Sequence, residues 1–151
     1  MSKIRSHEDP TVRFAKLFAK LYYYMAEQMI ESLGEEEGKK AIRAAIKKFG
    51  EDRVKSMKEE AAERNLPLSG RESYTAVRDM PNIGWKRSER GIEYCPFHDI
   101  WSDFGELGME LGKIYCEIDH VLLNGFDVAL ERNFCLTSRD DHCQFIFSKL
   151  S

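Results

Sequence analysis

The sequence predicts an α+β domain in which N-terminal helices pack on a small antiparallel sheet and a helical pair precedes a C-terminal β-hairpin. Apolar residues recur at helical spacing through the first half, and shorter segments with strand-like alternation follow after about residue 70. The 151 residues contain no repeat, low-complexity tract or long linker. We therefore expect one domain over residues 1–151, because this length buries a sizeable core.

The first helix is predicted to begin at Asp9-Pro10, an N-cap acid followed by proline at the first helical position, and to end at Gly34. Two neighbouring rows of apolar side chains run along it, which indicates burial on more than one side. The Tyr22-Tyr23-Tyr24 run adds to this surface. A homodimer through the N-terminal helix is therefore an expectation, and an interaction protein with simply buried cysteines is one interpretation of the chain.

A second helix is expected from Glu35-Glu36-Glu37, where acids favour the helix N-terminus, with Gly50 bending or interrupting it before it continues to Ala61. Residues 65–70 form a break. We then expect strand-like segments over 74–80 and 91–95, helices over 99–107 and 109–123, and two strands within 126–137 and 143–149.

Composition excludes several classes of function. The net charge of −3, from 23 basic and 26 acidic side chains, provides no basic stripe for a phosphate backbone, so we expect no nucleic-acid partner. No signal peptide and no apolar stretch of membrane-spanning length is evident, so we expect no membrane association and a cytoplasmic location with reduced thiols. A disulfide between Cys116 and Cys135 or Cys143 remains the alternative in an oxidising setting.

The first cluster of candidate site residues is Cys116, Asp119 and His120. On a helix, positions i, i+3 and i+4 share one face, so a thiol, a carboxylate and an imidazole would lie within one turn. Such a set can act as nucleophile, base and orienting acid, or as three metal ligands. The structural alternatives are a small buried cysteine and a histidine that caps a helix end.

The second cluster surrounds a predicted turn at Ser138-Arg139-Asp140-Asp141. A hairpin there would bring Cys135 and Cys143 together, and with Cys116 they would form a three-sulfur zinc site. The fourth ligand would be His142, Asp119, Glu131 or water. The spacing is looser than that of a CxxC knuckle, and the two aspartates are also typical turn-building residues.

A set of residues in the second half resembles the L-2-amino-thiazoline-4-carboxylic acid hydrolase family. The residues that carry the resemblance are Cys95-Pro96, Trp101, Gly105, Gly112, Tyr115-Cys116, Asp119, Gly125-Phe126 and Asp140-Asp141-His142-Cys143-x-Phe145. The resemblance extends more weakly over the N-terminal helices. The family pattern usually has glycine where Arg139 stands, at a position suited to positive φ.

The resemblance implies hydrolysis of a carbon-nitrogen bond in a small cyclic amidine, which opens a thiazoline ring to an N-carbamoyl-cysteine-type product. In one mechanism the Cys116 or Cys143 thiolate attacks the amidine carbon, His142 or His120 moves protons and Asp119 pairs with the amidinium. In the other, cysteine-bound zinc supplies hydroxide. A sulfur-rich zinc is the poorer Lewis acid, so the thiol mechanism is favoured.

The same residues are similar to sensor domains of the vinyl-reductase type, in which cysteine-held zinc is structural and no bond is broken. Cys116, Cys135 and Cys143 would then hold zinc, and nearby aromatic side chains would line a ligand pocket. Those side chains are Trp85, Phe97, Trp101, Phe104 and Tyr115. Under either interpretation we expect a small-molecule pocket between the Cys116 helix and the closing hairpin, with Arg78, Arg90, Arg132 and Arg139 as candidate partners for an anion.

Overall fold

Two long helices form the N-terminal half of the protein. The computed structural model describes residues 3–150, and α1 (Pro10–Leu33) and α2 (Glu35–Glu63) are joined by Gly34 at φ 89° and pack against each other. The Asp9 carboxylate accepts the Thr11 N–H at 2.7 Å, so the predicted N-cap is confirmed. A single connecting residue with positive φ suits glycine and turns the chain back on itself.

The expected interruption at Gly50 is wrong, because α2 is continuous through this position. A Cβ atom at Gly50 would lie 2.8 Å from Cγ1 of Val121. The glycine therefore allows α2 to pack closely on the later helix that carries Val121, and it does not interrupt α2.

The expected strand over 74–80 is also wrong, since α3 spans Arg71–Val77. Ser73 and Val77, one helical turn apart, are both buried, and the Tyr74 ring packs against Phe126. The Gly70 N–H donates to the Phe126 carbonyl at 2.7 Å and fixes the start of the helix. Burial of one helical face thus prevails over the strand-like composition of the segment.

Two small antiparallel sheets complete an α+β fold, and this fold class is confirmed. One pairs β1 (Lys86–Ser88) with β2 (Gly91–Tyr94), and the other pairs β3 (Val128–Glu131) with β4 (Ile146–Lys149). The closing pair is a hairpin with a long connection. Its strands are shorter than expected, and the connection carries a 3₁₀ turn over Leu136–Ser138.

The expected helical pair is divided into three helices, α4 (Pro96–Trp101), α5 (Gly105–Cys116) and α6 (Ile118–Gly125), with a 3₁₀ turn over Ser102–Phe104. Helix α1 packs on α4, α2 packs on α6, and α6 in turn contacts β3. The N-terminal helices therefore reach the closing sheet through α6.

Trp101 lies at the centre of the core, with no exposed surface, and its indole N–H donates to the Ala19 carbonyl at 2.9 Å. A Cβ atom at Gly112 would lie 2.4 Å from the indole ring, so glycine is required for α5 to approach it. The rings of Phe97 and Tyr115 pack beside the indole. This aromatic cluster ties α1, α4 and α5 together.

Within residues 3–150, no helix is long and apolar enough to cross a bilayer. The outer face of α1 nevertheless presents large apolar side chains to solvent, with exposed fractions of 73% for Phe14, 61% for Leu21 and 59% for Met25. Leu17 lies on the same face. Single exposed apolar residues are ordinary, but a stripe along one helix indicates an interaction surface.

We propose that a second copy of the chain packs on this stripe, because Arg13 and Lys20 lie in the first half of α1 and Glu27 and Glu31 in the second. An antiparallel pair of helices about a twofold axis places these opposite charges together. Replacing Leu21 with glutamate should convert dimer to monomer in sedimentation equilibrium without altering the circular dichroism spectrum. A monomeric native chain at high micromolar concentration would contradict the expectation.

Candidate functional site

A cavity of about 180 Å³ opens between the α5–α6 junction, β2 and the closing hairpin. This is the position in which the pocket was expected. Its lining includes the thiol-bearing residues Cys95, Cys116 and Cys143 together with Asp119. A second cavity of about 270 Å³ lies on the other side of Cys116 and Arg132 and is lined by Cys135 and His120. Cys116 and Arg132 thus form part of the wall between the two spaces.

Cys135 and Cys143 are close together, as expected, although neither belongs to a strand. Their Sγ atoms are 3.6 Å apart, and the Cys135 sulfur lies 3.0 Å from Thr137 Oγ1. The Leu136 N–H donates to the Cys143 sulfur at 3.3 Å. Cys116 extends the cluster, because its thiol and that of Cys135 shift each other's pKa.

The hydrogen bonds give the three thiols different acidities. Hydrogen bonds from Cys116 and Cys143 lower the pKa of Cys135 well below the usual value of a thiol. The hydrogen bond with Cys135, followed by burial, raises the pKa of Cys116 and likewise that of Cys143. Cys135 is therefore the most acidic thiol of the cluster and the one that most readily becomes a thiolate.

Short-range hydrogen bonds hold the loop that carries these thiols. The Asp140 carboxylate accepts the Cys135 N–H at 2.8 Å, and the Ser138 N–H donates to the Cys135 carbonyl at 2.9 Å. Arg139 adopts the left-handed conformation at φ 69°, the position where the family pattern usually has glycine. Asp140 accordingly builds the turn, and its hydrogen bond fixes Cys135.

A pair of backbone hydrogen bonds docks Cys143 onto β2. The Cys143 N–H donates to the Ile92 carbonyl at 2.7 Å, and the Ile92 N–H donates back at 2.9 Å. Gly91, at φ 132°, has its Cα so near this bridge that a Cβ atom would lie 2.0 Å from the Cys143 carbonyl oxygen. Glycine is therefore needed to seat Cys143 in the cavity wall.

Arg132 joins the hairpin connection to the α5–α6 junction. Its guanidinium forms an ion pair with Asp119, donates to the Cys116 carbonyl at 3.4 Å and stacks over the Phe145 ring at 4.6 Å. The Arg132 side chain is only 9% exposed. A buried guanidinium needs such compensation, and these contacts fix Asp119 and the end of α5 relative to the hairpin.

The cavity has an excess of positive charge. Arg53, Arg78, Arg87 and Arg132 line it, whereas Asp119 is its acidic residue. Arg53 forms a bidentate pair with Asp79, with Nη2 to Oδ1 at 2.7 Å. In the described part of the chain, Arg78 and Arg87 have no ion pair. The lining thus favours a ligand that carries a negative charge.

Of the four arginines expected to meet an anion, Arg78 and Arg132 line the cavity, and the other two are engaged elsewhere. Arg90 pairs with Glu93 and Asp141, and Arg139 pairs with Glu106 on the surface.

The histidines lie outside the first cavity. His142 stacks on the Phe134 ring with centroids 5.0 Å apart, and its Nδ1 lies 2.7 Å from Asp141 Oδ1. His120 is exposed and lines the second cavity, since the helix expected to align it with Cys116 and Asp119 is broken at Glu117. Within residues 3–150, the first cavity therefore has thiols and a carboxylate but no imidazole in its wall.

Several aromatic side chains were expected to line the pocket. Trp85, Phe97 and Tyr115 do so. Trp101 is buried in the core, and Phe104 stacks on Tyr23 with ring centroids 3.8 Å apart. Cys95 also lines the cavity, where burial raises the pKa of its thiol to about 11. Cys95 is consequently a neutral thiol near pH 7.

The expected zinc ligands Cys116, Cys135 and Cys143 fit a metal only in part. Two thiolates bound to one tetrahedral zinc lie about 3.8 Å apart, close to the 3.6 Å between Cys135 and Cys143. Across residues 3–150, however, no group of three or more His, Cys, Asp or Glu side chains is arranged to hold a metal ion. The residues as placed therefore do not complete a zinc site.

Together these features define a small α+β protein with a thiol-containing, positively charged ligand cavity. The family model described as L-2-amino-thiazoline-4-carboxylic acid hydrolase matches residues 14–147, which include all four cysteines. The chain belongs to this family. Comparison with curated proteins and comparison with solved structures each gave no match.

Sequence reasoning missed Arg53 and Tyr74 in the cavity wall. Arg53 stands on the buried face of α2, in register with Ile46 and Met57. A charged residue within an apolar stripe was the available signal, because such a residue needs a buried partner. Tyr74 was missed because its segment was predicted to be a strand, whereas it forms helix α3.

The acidities of the thiols predict selective labelling. At pH 6, limiting iodoacetamide should alkylate Cys135 first through the second cavity, because Cys135 is the thiolate of the cluster. Peptide mass spectrometry identifies the labelled residue, and the Cys135→Ser variant should lose the early product. The unfolded chain should label all four cysteines at similar rates. Early labelling of Cys116 or Cys143 in the folded protein would contradict this charge distribution.

Proposed function

We propose that the protein hydrolyses a small cyclic amidine that carries a carboxylate, of the thiazoline carboxylate type, with Cys143 as nucleophile. The observation that carries the proposal is that Cys143 and Asp119 line the same cavity as the unpaired Arg78 and Arg87. Family membership supports the thiazoline class. A thiol, a carboxylate and free cations are the groups that an amidinium carboxylate needs.

Charge pairing supports a defined orientation of this substrate. One oxygen of Asp119 accepts from Arg132, which leaves its other oxygen to accept an N–H of the amidinium. The arginines of the lining attract the carboxylate. Asp119 thereby keeps the amidine protonated and its carbon electrophilic.

The thiol cluster supports a way to activate Cys143 without histidine. Cys143 gives its proton to the Cys135 thiolate across the 3.6 Å contact as its sulfur bonds to the amidine carbon, so no free Cys143 thiolate has to form, and the Leu136 N–H stabilises the attacking sulfur. In this proposal Cys135 takes the role that we expected of His142, because His142 is engaged with Phe134 and Asp141. Cys116 remains the alternative nucleophile, since it also faces the cavity.

The chemistry also decides which ring bond breaks. The Cys143 sulfur attacks the amidine carbon, the ring carbon-sulfur bond breaks, and the released ring sulfur takes the proton from Cys135. Water then attacks the same carbon and gives one proton to Cys135. Cys143 departs as the carbonyl forms and takes the proton back from Cys135, while the hydroxyl proton leaves to solvent. One water is consumed, one proton is released in total, and the two cysteines return to their starting states.

The N-carbamoyl product requires scission of the carbon-sulfur bond, so the expected carbon-nitrogen scission does not lead to it. Breaking the ring carbon-nitrogen bond would instead give an S-carbamoyl product with a free amine. A thiolate is also the better leaving group. The two products differ by one free thiol, which chromatography with mass spectrometry distinguishes.

A binding module of the vinyl-reductase type would use the same cavity and break no bond. Tight binding of the thiazoline carboxylate without product would favour it over the hydrolase.

We predict that Cys143→Ser abolishes ring opening of L-2-amino-thiazoline-4-carboxylate, because the hydroxyl is a far weaker nucleophile at neutral pH. Product formation is followed by chromatography, and an unchanged thermal midpoint serves as the control for folding. Turnover by Cys143→Ser at the rate of the native protein would contradict the assignment of Cys143 as the nucleophile.

We predict that Cys135→Ser keeps Cys143 but lowers kcat by about 100-fold or more at pH 7, since the proton acceptor is lost. The variant's rate should climb as pH rises toward the pKa of Cys143, which burial still raises once the Cys135 thiol is gone, because deprotonation then depends on the solvent. The native rate should change little from pH 6 to 8, since the pKa of Cys135 is lowered and its thiolate is present throughout. Parallel pH profiles for the two proteins would rule out Cys135 as the proton acceptor.

A further inference from the structure

Two buried side-chain polar atoms in the described part of the chain have no hydrogen-bond partner, Tyr115 Oη and Arg132 Nε. Tyr115 is 5% exposed and the Arg132 side chain 9% exposed. Both residues line the first cavity. A buried donor without a partner is costly, and two of them in one cavity wall indicate a group that a ligand supplies.

The surroundings of both atoms fix them as donors. The other nitrogens of the Arg132 guanidinium bond to Asp119 and to the Cys116 carbonyl, and Phe145 covers its plane. Nε–H is the donor left over. The Tyr115 ring is held by Phe97 and Trp101, and burial raises the pKa of its hydroxyl, which stays protonated.

Two donors, one on a cation, require an acceptor group on the ligand. A carboxylate meets this requirement, since it accepts several hydrogen bonds and is stabilised by the guanidinium charge. An amidinium does not, because it presents N–H donors of its own. The positive end of a zwitterionic ligand therefore binds at Asp119. The negative end of the same ligand binds at these two donors.

We propose that Tyr115 Oη–H and Arg132 Nε–H form the carboxylate subsite of the cavity. The choice of a carboxylate, among the groups that could accept these hydrogen bonds, rests on the proposed function. Arg78 and Arg87 attract the anion to the cavity, and the two buried donors orient it. Tyr115 and Arg132 are thus positioning residues that discriminate an amino-acid-derived ring from its uncharged analogue.

The test uses two non-reactive probes, L-thiazolidine-4-carboxylate and its carboxamide, which have no amidine to hydrolyse. Isothermal titration measures their binding to the native chain and to the Tyr115→Phe and Arg132→Lys variants. Lysine keeps a positive charge beside Asp119 but lacks Nε–H. Tyr22→Phe is the matched control, because the Tyr22 hydroxyl donates to the Leu111 carbonyl at 2.6 Å and Tyr22 packs on Tyr115 outside the cavity lining.

We expect the native chain to bind the carboxylate at least about 10-fold more tightly than the carboxamide, and each subsite variant to lose about 10-fold or more for the carboxylate alone. Tyr22→Phe should retain native affinity and preference. The proposal is overturned if the native chain binds neither probe or binds both equally, or if both subsite variants bind the carboxylate like the native chain. Thermal midpoints of all variants exclude misfolding as the cause of a loss.

The subsite and the hydrolase can fail separately. Selective probe binding through Tyr115 and Arg132 without turnover of the thiazoline carboxylate would contradict the hydrolase and retain the subsite. Turnover with native KM in both subsite variants would retain the hydrolase and contradict the subsite.

Discussion

The ion pair between Arg132 and Asp119 is the interaction on which the arrangement of the site depends. It links the residue after β3 to the junction of α5 and α6, and the same guanidinium reaches the Cys116 carbonyl and the Phe145 ring. The Arg132 side chain is buried and the Asp119 side chain is 32% exposed, so loss of Asp119 would leave a buried guanidinium without its counter-charge. The hairpin connection is therefore held against the helices, and the thiols of both parts meet.

The loop holds the thiols in positions that make Cys135 the most acidic of them. Asp140 fixes the backbone of Cys135, and the bridge to Ile92 fixes Cys143. Cys135 then accepts hydrogen bonds from its neighbours, while Cys143 faces the cavity with its proton. In the proposed mechanism, a proton acceptor and a nucleophile are thus adjacent without an imidazole. The cavity adds a carboxylate and an excess of arginines, and we propose that these orient the substrate through its own charges.

Much of the fold could be predicted from the sequence, because amphipathic periodicity and capping are local. The Asp9 cap, the two long helices and the final pair of strands follow from such signals. The failures arise from contacts between distant residues. Gly50 allows α6 to approach, and Tyr74 packs on Phe126, neither of which is visible in a local pattern.

The candidate site was predictable as a cluster but not as a mechanism. The sequence spacing predicted that Cys135 and Cys143 lie close together, and they do. Cys116 and Asp119 line the same cavity. The position of His142 depends on its contacts with Phe134 and Asp141. The lowered pKa of Cys135 depends on Cys116, which is distant in sequence, and on Cys143, which lies across a turn. These properties require three-dimensional distances, as do the unpartnered atoms of Tyr115 and Arg132.

The central claim is that a cysteine thiol attacks the amidine carbon, and it is tested most directly by intact-protein mass spectrometry after acid quenching of the chain mixed with L-2-amino-thiazoline-4-carboxylate. The account predicts a transient adduct of one substrate molecule per chain, localised by peptide mapping to Cys143 and absent from Cys143→Ser. Turnover without any adduct on a cysteine would contradict the claim, and an adduct on Cys95 or Cys116 would contradict the assignment of Cys143 as the nucleophile.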